Sequence, residues 1–417
     1  MKHRFTLLTL LALVMVFVGC GSHTKNNAPQ SDENYVVILS MDAFRHDLAD
    51  FYETPTLDSI ARVGVFSEIM PCFPSNTFPN HYSMATGLHP DHHGIVNNSF
   101  YAKELGKSYS ISDPDARVNA DFYKGEPIWN TVERQGQVAH VYTWVGVEAP
   151  INDHFPTEYV LYDVNRSRRE LADLVLGALC NPNVEEIPNL TMWYFDEPDA
   201  TEHRYSPTSD ETKAVVEDID NTLAYFMREV RKSPVYDKIN FIFTGDHGMT
   251  ELSPDRYVNI YQWIPDKIKY YFNSNPVTLE PKAGLLDEVY AELKAHEAEG
   301  HYQVWKREEV PAEFHYGSFE SRIYPIVLLP ETGWKVVYNK DPEGGRPKPK
   351  ASTHGFNPFD SDMHIAFYAC GPAFKKNYKH DKVFYNLNDH LIITKILGIE
   401  PAQPNDCNWD DVKGMFR

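Results

Sequence analysis

Three apolar runs in this sequence each end within a few residues on an aspartate. They cover residues 35–42, 190–199 and 239–246, and their last residues are Asp42, Asp199 and Asp246. Each run is short and rich in β-branched and aromatic residues, which is typical of a buried strand. In open α/β sheets, ligands bind just outside the carboxyl ends of the strands. The pattern therefore predicts a doubly wound, mostly parallel α/β sheet with three carboxylates at one edge.

Three histidines accompany these aspartates. His203 lies four residues after Asp199, His247 directly follows Asp246, and His354 lies in a loop before a later strand. A single aspartate at a strand end is more often a helix cap or a turn residue, so the prediction rests on the set as a whole. Mixed Asp and His ligands suit Zn²⁺ better than Mn²⁺ or iron, and six ligands are too many for one tetrahedral ion. We therefore expect two Zn²⁺ ions about 4 Å apart, an arrangement that clamps an in-line displacement at phosphorus.

The candidate nucleophile is Thr77. It lies in a proline-rich loop at the start of a predicted helix, where backbone amides favour a phosphate group. A hydroxyl bound to zinc loses its proton more readily, so Thr77 would need no separate base. Thr77 could instead only cap the helix, and one residue can serve both purposes.

The amino terminus is typical of a lipoprotein signal peptide. A basic start precedes an apolar stretch over residues 5–18, which is too short to span a membrane. The small residue Gly19 then precedes Cys20. We expect residues 1–19 to be removed and Cys20 to be acylated, which makes the protein an extracytoplasmic, membrane-anchored lipoprotein of the periplasm or cell surface. An ordinary secreted leader is the alternative.

The remaining residues are predicted to form a tether and one large domain. Residues 20–34 are polar and suit a flexible tether, and residues 35–417 are enough for one α/β catalytic domain. The alternation of strands and helices breaks at about 264–350, which we interpret as a small inserted α+β subdomain.

The formal net charge of −20 argues against binding of a nucleic-acid duplex. It does not exclude a small anionic substrate, because bound cations dominate the local field.

Two further expectations concern packing and cysteines. The clearest helix covers 209–232, with Ser209 as its cap. Its predicted apolar stripe consists of Val215, Ile219, Leu223, Met227 and Val230.

Four cysteines follow Cys20 and could pair in three ways in an exported protein, with nothing in the sequence to choose between them. They are Cys72, Cys180, Cys370 and Cys407.

Seven ordered motifs make the chain resemble the nucleotide pyrophosphatase/phosphodiesterase family of the alkaline phosphatase superfamily. The resemblance covers nearly the whole chain after the leader. The motifs are SMDAFR (40–45), FPSNTFPNH (73–81), TGLHPDHHG (86–94), GEPIW (125–129), EPDATEH (197–203), TGDHG (244–248) and THG (353–355). One departure is Glu202, since family members commonly have glycine before the histidine that matches His203.

The resemblance implies an alkaline-phosphatase-like fold and a role for each candidate residue. It implies that Asp199, His203 and His354 hold one zinc ion. Asp42, Asp246 and His247 would hold the other. Thr77 would bridge the two ions as nucleophile, and Asn98 would bind a phosphoryl oxygen. Phe78 follows Thr77 and is well placed to line the substrate pocket. Tyr162 and Tyr194 match aromatic positions that resemble the nucleobase-stacking residues of the family. Packing in the core is the alternative for each aromatic residue, above all for Tyr162.

The activity that the resemblance implies is hydrolysis of nucleotide phosphodiester or pyrophosphate bonds. The reaction would pass through a phosphothreonine intermediate and release a nucleoside 5'-monophosphate. A phospholipid or other phosphodiesterase on the same scaffold is one alternative, and a binding lipoprotein without catalysis is another. Because Asn98 is neutral and the Thr77 motif lacks arginine, we expect diesters to be preferred over monoesters.

Overall fold

A computed structural model describes residues 34–417 of the protein. The predicted signal peptide, Cys20 and all but the last residue of the predicted tether lie outside the described residues. Within the described part of the chain, no helix is long and apolar enough to cross a membrane.

Residues 34–417 contain β-strands and α-helices that are interspersed along the chain. The strands are β1 (Tyr35–Met41), β2 (Val65–Ile69), β3 (Ser99–Ala102), β4 (Lys107–Ser110), β5 (Ala139–Tyr142), β6 (Glu158–Val160), β7 (Leu190–Phe195), β8 (Ile239–Thr244), β9 (Thr250–Glu251), β10 (Tyr257–Asn259), β11 (Ile268–Phe272), β12 (Val277–Pro281), β13 (Tyr302–Lys306), β14 (Ile326–Pro330), β15 (Lys335–Val337), β16 (Ser352–Thr353), β17 (Ile365–Cys370) and β18 (Tyr378–His380). The α-helices are α1 (Leu48–Phe51), α2 (Pro55–Val63), α3 (Thr77–Thr86), α4 (Pro90–His93), α5 (Pro114–Arg117), α6 (Ile128–Arg134), α7 (Arg168–Leu179), α8 (Asp199–Glu202), α9 (Asp210–Glu229), α10 (Leu286–Ala295), α11 (Asn388–Leu397) and α12 (Trp409–Val412).

Eight strands form the central sheet, in the order β18-β2-β17-β8-β1-β7-β5-β6. All neighbouring pairs are parallel except those of β17, which runs antiparallel to both β8 and β2. The predicted doubly wound, mostly parallel α/β fold is confirmed.

The centre of the sheet is buried on both faces. Val36 and Ile38 of β1 pack into one hydrophobic core, whereas Val37, Leu39 and Met41 pack into the other. Helices α3, α6 and α11 cover the first face, and α2, α7 and α9 cover the second. A strand buried on both faces needs a continuous apolar run, and this is why the run ending at Asp42 does not alternate with polar residues.

The register of the three central strands brings their carboxyl ends to one level. Met41 of β1 lies opposite Phe195 of β7, and Ser40 lies opposite Thr244 of β8. The backbone nitrogen of Asp42 then donates a hydrogen bond to the Phe195 carbonyl at 3.0 Å. The residues that follow these strands therefore lie together at one edge of the sheet, as predicted.

Helix α9 differs from expectation in the face that it buries. Ser209 caps the helix as predicted, since its hydroxyl accepts a hydrogen bond from the Thr212 nitrogen. The buried stripe consists of Val216, Ile219, Leu223, Phe226 and Val230. Val215 and Met227 are only half-buried. Steps of three and four residues keep a stripe on one face, whereas the predicted steps of four drift around the helix.

The segment predicted as an insertion, 264–350, contains a second sheet. Its four strands are antiparallel, in the order β11-β12-β14-β13, so β11 is an edge strand. Helix α10 packs on this sheet around a separate hydrophobic core that includes Leu279, Val289 and Leu328. The short pair β9 and β16 then leads the chain back to the central sheet directly before His354.

The four cysteines within the described residues are all unpaired. Cys72 and Cys370 are buried, and Cys180 and Cys407 are half-buried. Burial raises the pKa of the Cys407 thiol to about 12.

Candidate active site

Thr77 is the first residue of helix α3. Asn76 occupies the N-cap position before it, and the Asn76 side chain makes no capping hydrogen bond. The Thr77 hydroxyl is therefore not used to cap the helix. Instead, its Oγ1 lies 3.1 Å from Nε2 of His247.

A first ligand set, defined as Asp42, Asp246 and His247, surrounds the Thr77 hydroxyl. Nε2 of His247 lies 3.4 Å from Oδ1 of Asp42 and 3.2 Å from Oδ2 of Asp246. All three side chains are buried, and their nearest ligand atoms lie within 4.8 Å of one another. The structure thus brings together one whole half of the predicted metal site.

A second ligand set, defined as Asp199, His203 and His354, adjoins the first. Oδ1 of Asp199 lies 3.3 Å from Nε2 of His203 and 3.6 Å from Nε2 of His354. The rings of His354 and His247 stack with their centroids 3.8 Å apart. The two sets therefore meet at these two imidazoles, and Asp199, His247 and His354 also form a group within 4.8 Å.

The three histidines share one tautomer. Each donates its Nδ1 hydrogen to a backbone carbonyl oxygen at 2.9–3.0 Å, which leaves the Nε2 lone pair facing the carboxylates. The acceptors are Ser352 O for His203, Gly248 O for His247 and Ser75 O for His354. A carbonyl acceptor on the far nitrogen is the usual way in which proteins orient an imidazole toward a metal ion.

The carboxylates supply buried oxygens that no described residue hydrogen-bonds. These atoms are Oδ1 of Asp42, Oδ1 of Asp199 and Oδ2 of Asp246. They face unprotonated Nε2 atoms, so lone pairs lie against lone pairs at 3.2–3.6 Å. Such an arrangement costs free energy unless a cation lies between the groups. The donor set therefore fits metal ions, and Asp and His together fit zinc.

Burial sets the electrostatics of the site. It raises the pKa of Asp42 and Asp246 well above the ordinary range, and repulsion from neighbouring aspartates adds to this effect. Burial also raises the pKa of Asp199 to about 6 and lowers that of His247 to about 3. Without a cation, burial disfavours both the negative carboxylates and the positive imidazolium. A bound cation stabilises the negative form of the carboxylates and so offsets the cost of their burial. The electrostatics of the site therefore favour binding of a cation.

Sequence reasoning missed His81, which supports Thr77 from within helix α3. Its Nδ1 lies 3.0 Å from the Thr77 carbonyl oxygen, and its Nε2 lies 2.9 Å from Oγ of Ser40. The available signal was its spacing, because a residue four positions after Thr77 lies on the same helix face. His81 is fully buried and connects helix α3 to the end of β1.

A second group that sequence reasoning missed is a cluster of asparagines. Nδ2 of Asn76 donates to Oδ1 of Asn97 at 2.9 Å and to the Asn275 carbonyl at 2.8 Å. Nδ2 of Asn275 in turn donates to the His354 carbonyl at 2.9 Å. Residue 275 belongs to the segment predicted as an insertion, so that segment contacts the second ligand set directly.

Asn98 contacts Phe78, the residue that follows Thr77. Its Oδ1 accepts a hydrogen bond from the Phe78 backbone nitrogen at 3.0 Å. This orients the amide and leaves Nδ2 as the end that can donate to a ligand oxygen.

The three aromatic candidates line one cavity of about 210 Å³, here called the Phe78 pocket and defined by Phe78, Tyr162 and Tyr194. Tyr162 is 47 % exposed, and its hydroxyl donates to Oδ2 of Asp196 at 2.6 Å. The Tyr194 hydroxyl donates to Oδ2 of Asp42 at 2.5 Å. Tyr194 therefore connects the pocket to the first ligand set, which its sequence position alone did not indicate.

Glu202 is an unusual buried carboxylate next to His203. It is fully buried in α8, and neither of its carboxylate oxygens has a hydrogen-bond partner among the described residues. Burial raises its pKa well above the ordinary range, and repulsion from Asp199 adds to the shift. The side chain is therefore part of the packing behind the second ligand set.

Residues 36–357 match the family model described as type I phosphodiesterase / nucleotide pyrophosphatase. Human ectonucleotide pyrophosphatase/phosphodiesterase family member 5 is 31 % identical over 385 residues, which cover 91 % of this chain and 78 % of the relative. Cattle bis(5'-adenosyl)-triphosphatase ENPP4 is 32 % identical over 418 residues, covering 97 % and 87 %.

Solved structures agree with these matches. Murine ectonucleotide pyrophosphatase/phosphodiesterase 5, in an inactive threonine-to-alanine form in complex with AMP, superimposes with a TM-score of 0.85. The two chains are 29 % identical, and the match covers 92 % of this chain and all of the murine one. The resemblance drawn from the motifs is confirmed.

Proposed function

This chain belongs to the type I phosphodiesterase / nucleotide pyrophosphatase family, and from this premise we propose that it is a two-zinc enzyme with Thr77 as its nucleophile. It cleaves phosphodiester or pyrophosphate bonds of nucleotides and releases a nucleoside 5'-monophosphate. The observation that carries the proposal is the buried set of unpartnered carboxylate oxygens and Nε2 atoms around the Thr77 hydroxyl.

The six ligands divide into two sites. Asp42, Asp246 and His247 would hold one zinc ion, and Asp199, His203 and His354 the other. When bound, the two ions would lower the pKa of the Thr77 hydroxyl and stabilise negative charge at the phosphoryl group. The carbonyl oxygens that accept from Nδ1 of the three histidines keep each Nε2 turned toward its ion.

The residues of the chain then direct a double displacement at phosphorus. Helix α3 and the buried His81 hold Oγ1 of Thr77 at the edge of the sheet. Oγ1 forms a bond to phosphorus while the bond to the leaving oxygen breaks, and the leaving oxygen takes the electron pair. The product of this step is a phosphothreonine that still carries the nucleoside. Water then displaces Oγ1 and releases the nucleoside 5'-monophosphate.

Asn98 and the Phe78 pocket would position the substrate. Nδ2 of Asn98 donates to a phosphoryl oxygen, because its Oδ1 is already occupied by the Phe78 nitrogen. A nucleobase would enter the Phe78 pocket between the rings of Phe78 and Tyr162. The AMP complex of the murine structural neighbour supports a nucleotide as the ligand.

Diesters should be hydrolysed much faster than monoesters. A monoester carries an additional charged oxygen, which favours a cationic partner, whereas the phosphoryl contact here is the neutral Asn98. We expect kcat/KM for the p-nitrophenyl ester of AMP to exceed that for p-nitrophenyl phosphate by at least about a hundredfold. Both substrates release the same leaving group, so nitrophenolate release compares them directly.

A panel that adds diadenosine triphosphate and a lysophospholipid tests the substrate class. Faster hydrolysis of the monoester than of the diester would contradict the proposal. Hydrolysis of the lysophospholipid with no measurable action on either nucleotide would instead favour the phospholipid diesterase alternative. Binding of zinc and AMP without turnover of any substrate would favour a protein that has lost catalysis.

We also propose the predicted domain organisation: removal of residues 1–19, acylation of Cys20, a tether over 20–34 and a catalytic domain over 35–417 with its insertion at about 264–350. The result would be a lipid-anchored protein outside the cytoplasm. The observations behind it are the apolar stretch over 5–18 and the Gly19-Cys20 pair.

Cys20→Ser should release the protein from the membrane fraction, because it removes the acylation site. The released protein should hydrolyse the p-nitrophenyl ester of AMP at the wild-type rate. The matched control is Cys180→Ser, which replaces a free thiol and should leave the protein in the membrane fraction. Persistent membrane association of the Cys20 variant would disprove the lipid anchor.

A further inference from the structure

A second cavity, larger than the Phe78 pocket, lies between the β3–β4 hairpin and the edge strand β11. Its volume is about 670 Å³. We call it the distal cleft and define it by Tyr101, Lys103, Lys269, Tyr270, Phe272 and Tyr324. None of these residues lines the Phe78 pocket.

The two walls of the distal cleft meet beside the phosphoryl-binding residue. Strand β3 begins directly after Asn98, and at about 3.3 Å per residue Tyr101 lies about 10 Å along the hairpin from it. On the opposite wall, Phe272 ends β11 two residues before Ser274. Oγ of Ser274 accepts a hydrogen bond from Nδ2 of Asn97 at 3.1 Å, which ties the walls together next to Asn98.

The hairpin also connects the cleft to the Phe78 pocket. Ile111, the residue after β4, lines that pocket, and its nitrogen donates to the Asn98 carbonyl at 3.0 Å. Ser108, paired with Tyr101 further along the hairpin, lines the distal cleft. One hairpin thus borders both cavities, with Asn98 between them.

Glu280 also lines the distal cleft, and its carboxylate forms an ion pair with Nζ of Lys103 at 3.0 Å. The side chains that remain suit an aromatic, anionic group. The rings of Phe272 and Tyr324 stack with their centroids 5.5 Å apart, and the ring of Tyr270 is half exposed. Nζ of Lys269 lies 4.9 Å from the centroid of the Tyr270 ring and forms no ion pair among the described residues. Aromatic faces bind nucleobases by stacking, and a free ammonium group beside them binds phosphate.

We propose that the distal cleft binds the leaving-group nucleoside of a dinucleoside polyphosphate substrate. This inference rests on the proposed function, since it assigns the second half of the substrate to the same reaction. One nucleoside occupies the Phe78 pocket, the attacked phosphorus lies at Asn98 and Thr77, and the remaining phosphates lead to the cleft. A span of about 10 Å from Asn98 to Tyr101 suits the two further phosphates and ribose of diadenosine triphosphate.

The double variant Tyr101→Ala/Tyr270→Ala tests this assignment. We expect kcat/KM for diadenosine triphosphate to fall about tenfold or more, because a stacking platform for one base is lost. The value for the p-nitrophenyl ester of AMP should stay within about twofold of wild type, since a nitrophenyl group ends well short of Tyr101. Tyr101→Phe/Tyr270→Phe keeps both rings and should retain most of the activity on diadenosine triphosphate.

Two further measurements separate the possible failures. Phe78→Ala should slow both substrates, because both place AMP in the Phe78 pocket. If the cleft variant lowers kcat/KM equally for both substrates, or for neither, the distal cleft does not bind the leaving group and the inference is wrong. If the wild-type enzyme hydrolyses neither substrate, the proposed function itself fails. Loss of lysophospholipid hydrolysis alone in the cleft variant would also overturn the inference and indicate a lipid as its occupant.

Discussion

Thr77→Ala should lower kcat for the p-nitrophenyl ester of AMP by on the order of a thousandfold or more, because it removes the nucleophile of the first displacement. The six metal ligands and Asn98 remain, so substrate should still bind. The Thr77 side chain makes one hydrogen-bond contact, to His247, and the N-cap position of the helix is held by Asn76. The melting temperature and the zinc content should therefore stay close to those of the wild-type protein.

Thr77→Ser is the matched control for this prediction. It keeps a hydroxyl at the start of α3 and should retain turnover within about tenfold of wild type. A Thr77→Ala enzyme with kcat close to wild type would contradict the covalent mechanism. A Thr77→Ala protein that loses its zinc would show that the hydroxyl holds the metal rather than acting as the nucleophile alone.

Removal of metal should abolish hydrolysis, and Zn²⁺ should restore it. Elemental analysis should find about two zinc ions per chain, because six Asp and His ligands exceed one tetrahedral site. The metal-free protein should also melt at a lower temperature, since the unpartnered oxygens of Asp42, Asp199 and Asp246 lose the cation that offsets their burial.

Ligand variants make the metal prediction sharper. Asp246→Asn and Asp199→Asn each alter one ligand set, so each should reduce the zinc content to about one ion and lower kcat steeply. Asp406→Asn is the control, since that half-buried carboxylate pairs with His92 outside both sets. Full activity with a single tightly bound ion would contradict the paired site.

The ends of the three strands, and the grouping of the Asp and His side chains that follow them, could be predicted from the sequence because local patterns encode them. Each aspartate follows an apolar run within a few residues, and His203 and His247 are tied to their aspartates by short spacing. Parallel strands end at one edge of a sheet, so a correct fold class already placed these side chains together. The positions of Asp42, Asp199 and Asp246 needed no knowledge of long-range packing.

Contacts between distant segments were beyond such reasoning. The hydrogen bond from Tyr194 to Asp42 joins residues 152 positions apart, and that from Asn275 to His354 joins the predicted insertion to the second ligand set. No periodicity carries this information, because it depends on how β11 and its sheet dock on the central domain. The buried stripe of α9 also depends on tertiary packing, because Val216 and Phe226 are buried where the sequence pattern predicted Val215 and Met227.

The central claim is a double displacement through Thr77, and the stereochemical course at phosphorus tests it most directly. A nucleoside phosphorothioate diester of known configuration would be hydrolysed in ¹⁸O-labelled water, and the configuration of the product would be determined. Each in-line displacement inverts phosphorus, so two successive displacements predict overall retention. Inversion would mean that water attacks the substrate directly, and it would contradict the phosphothreonine intermediate.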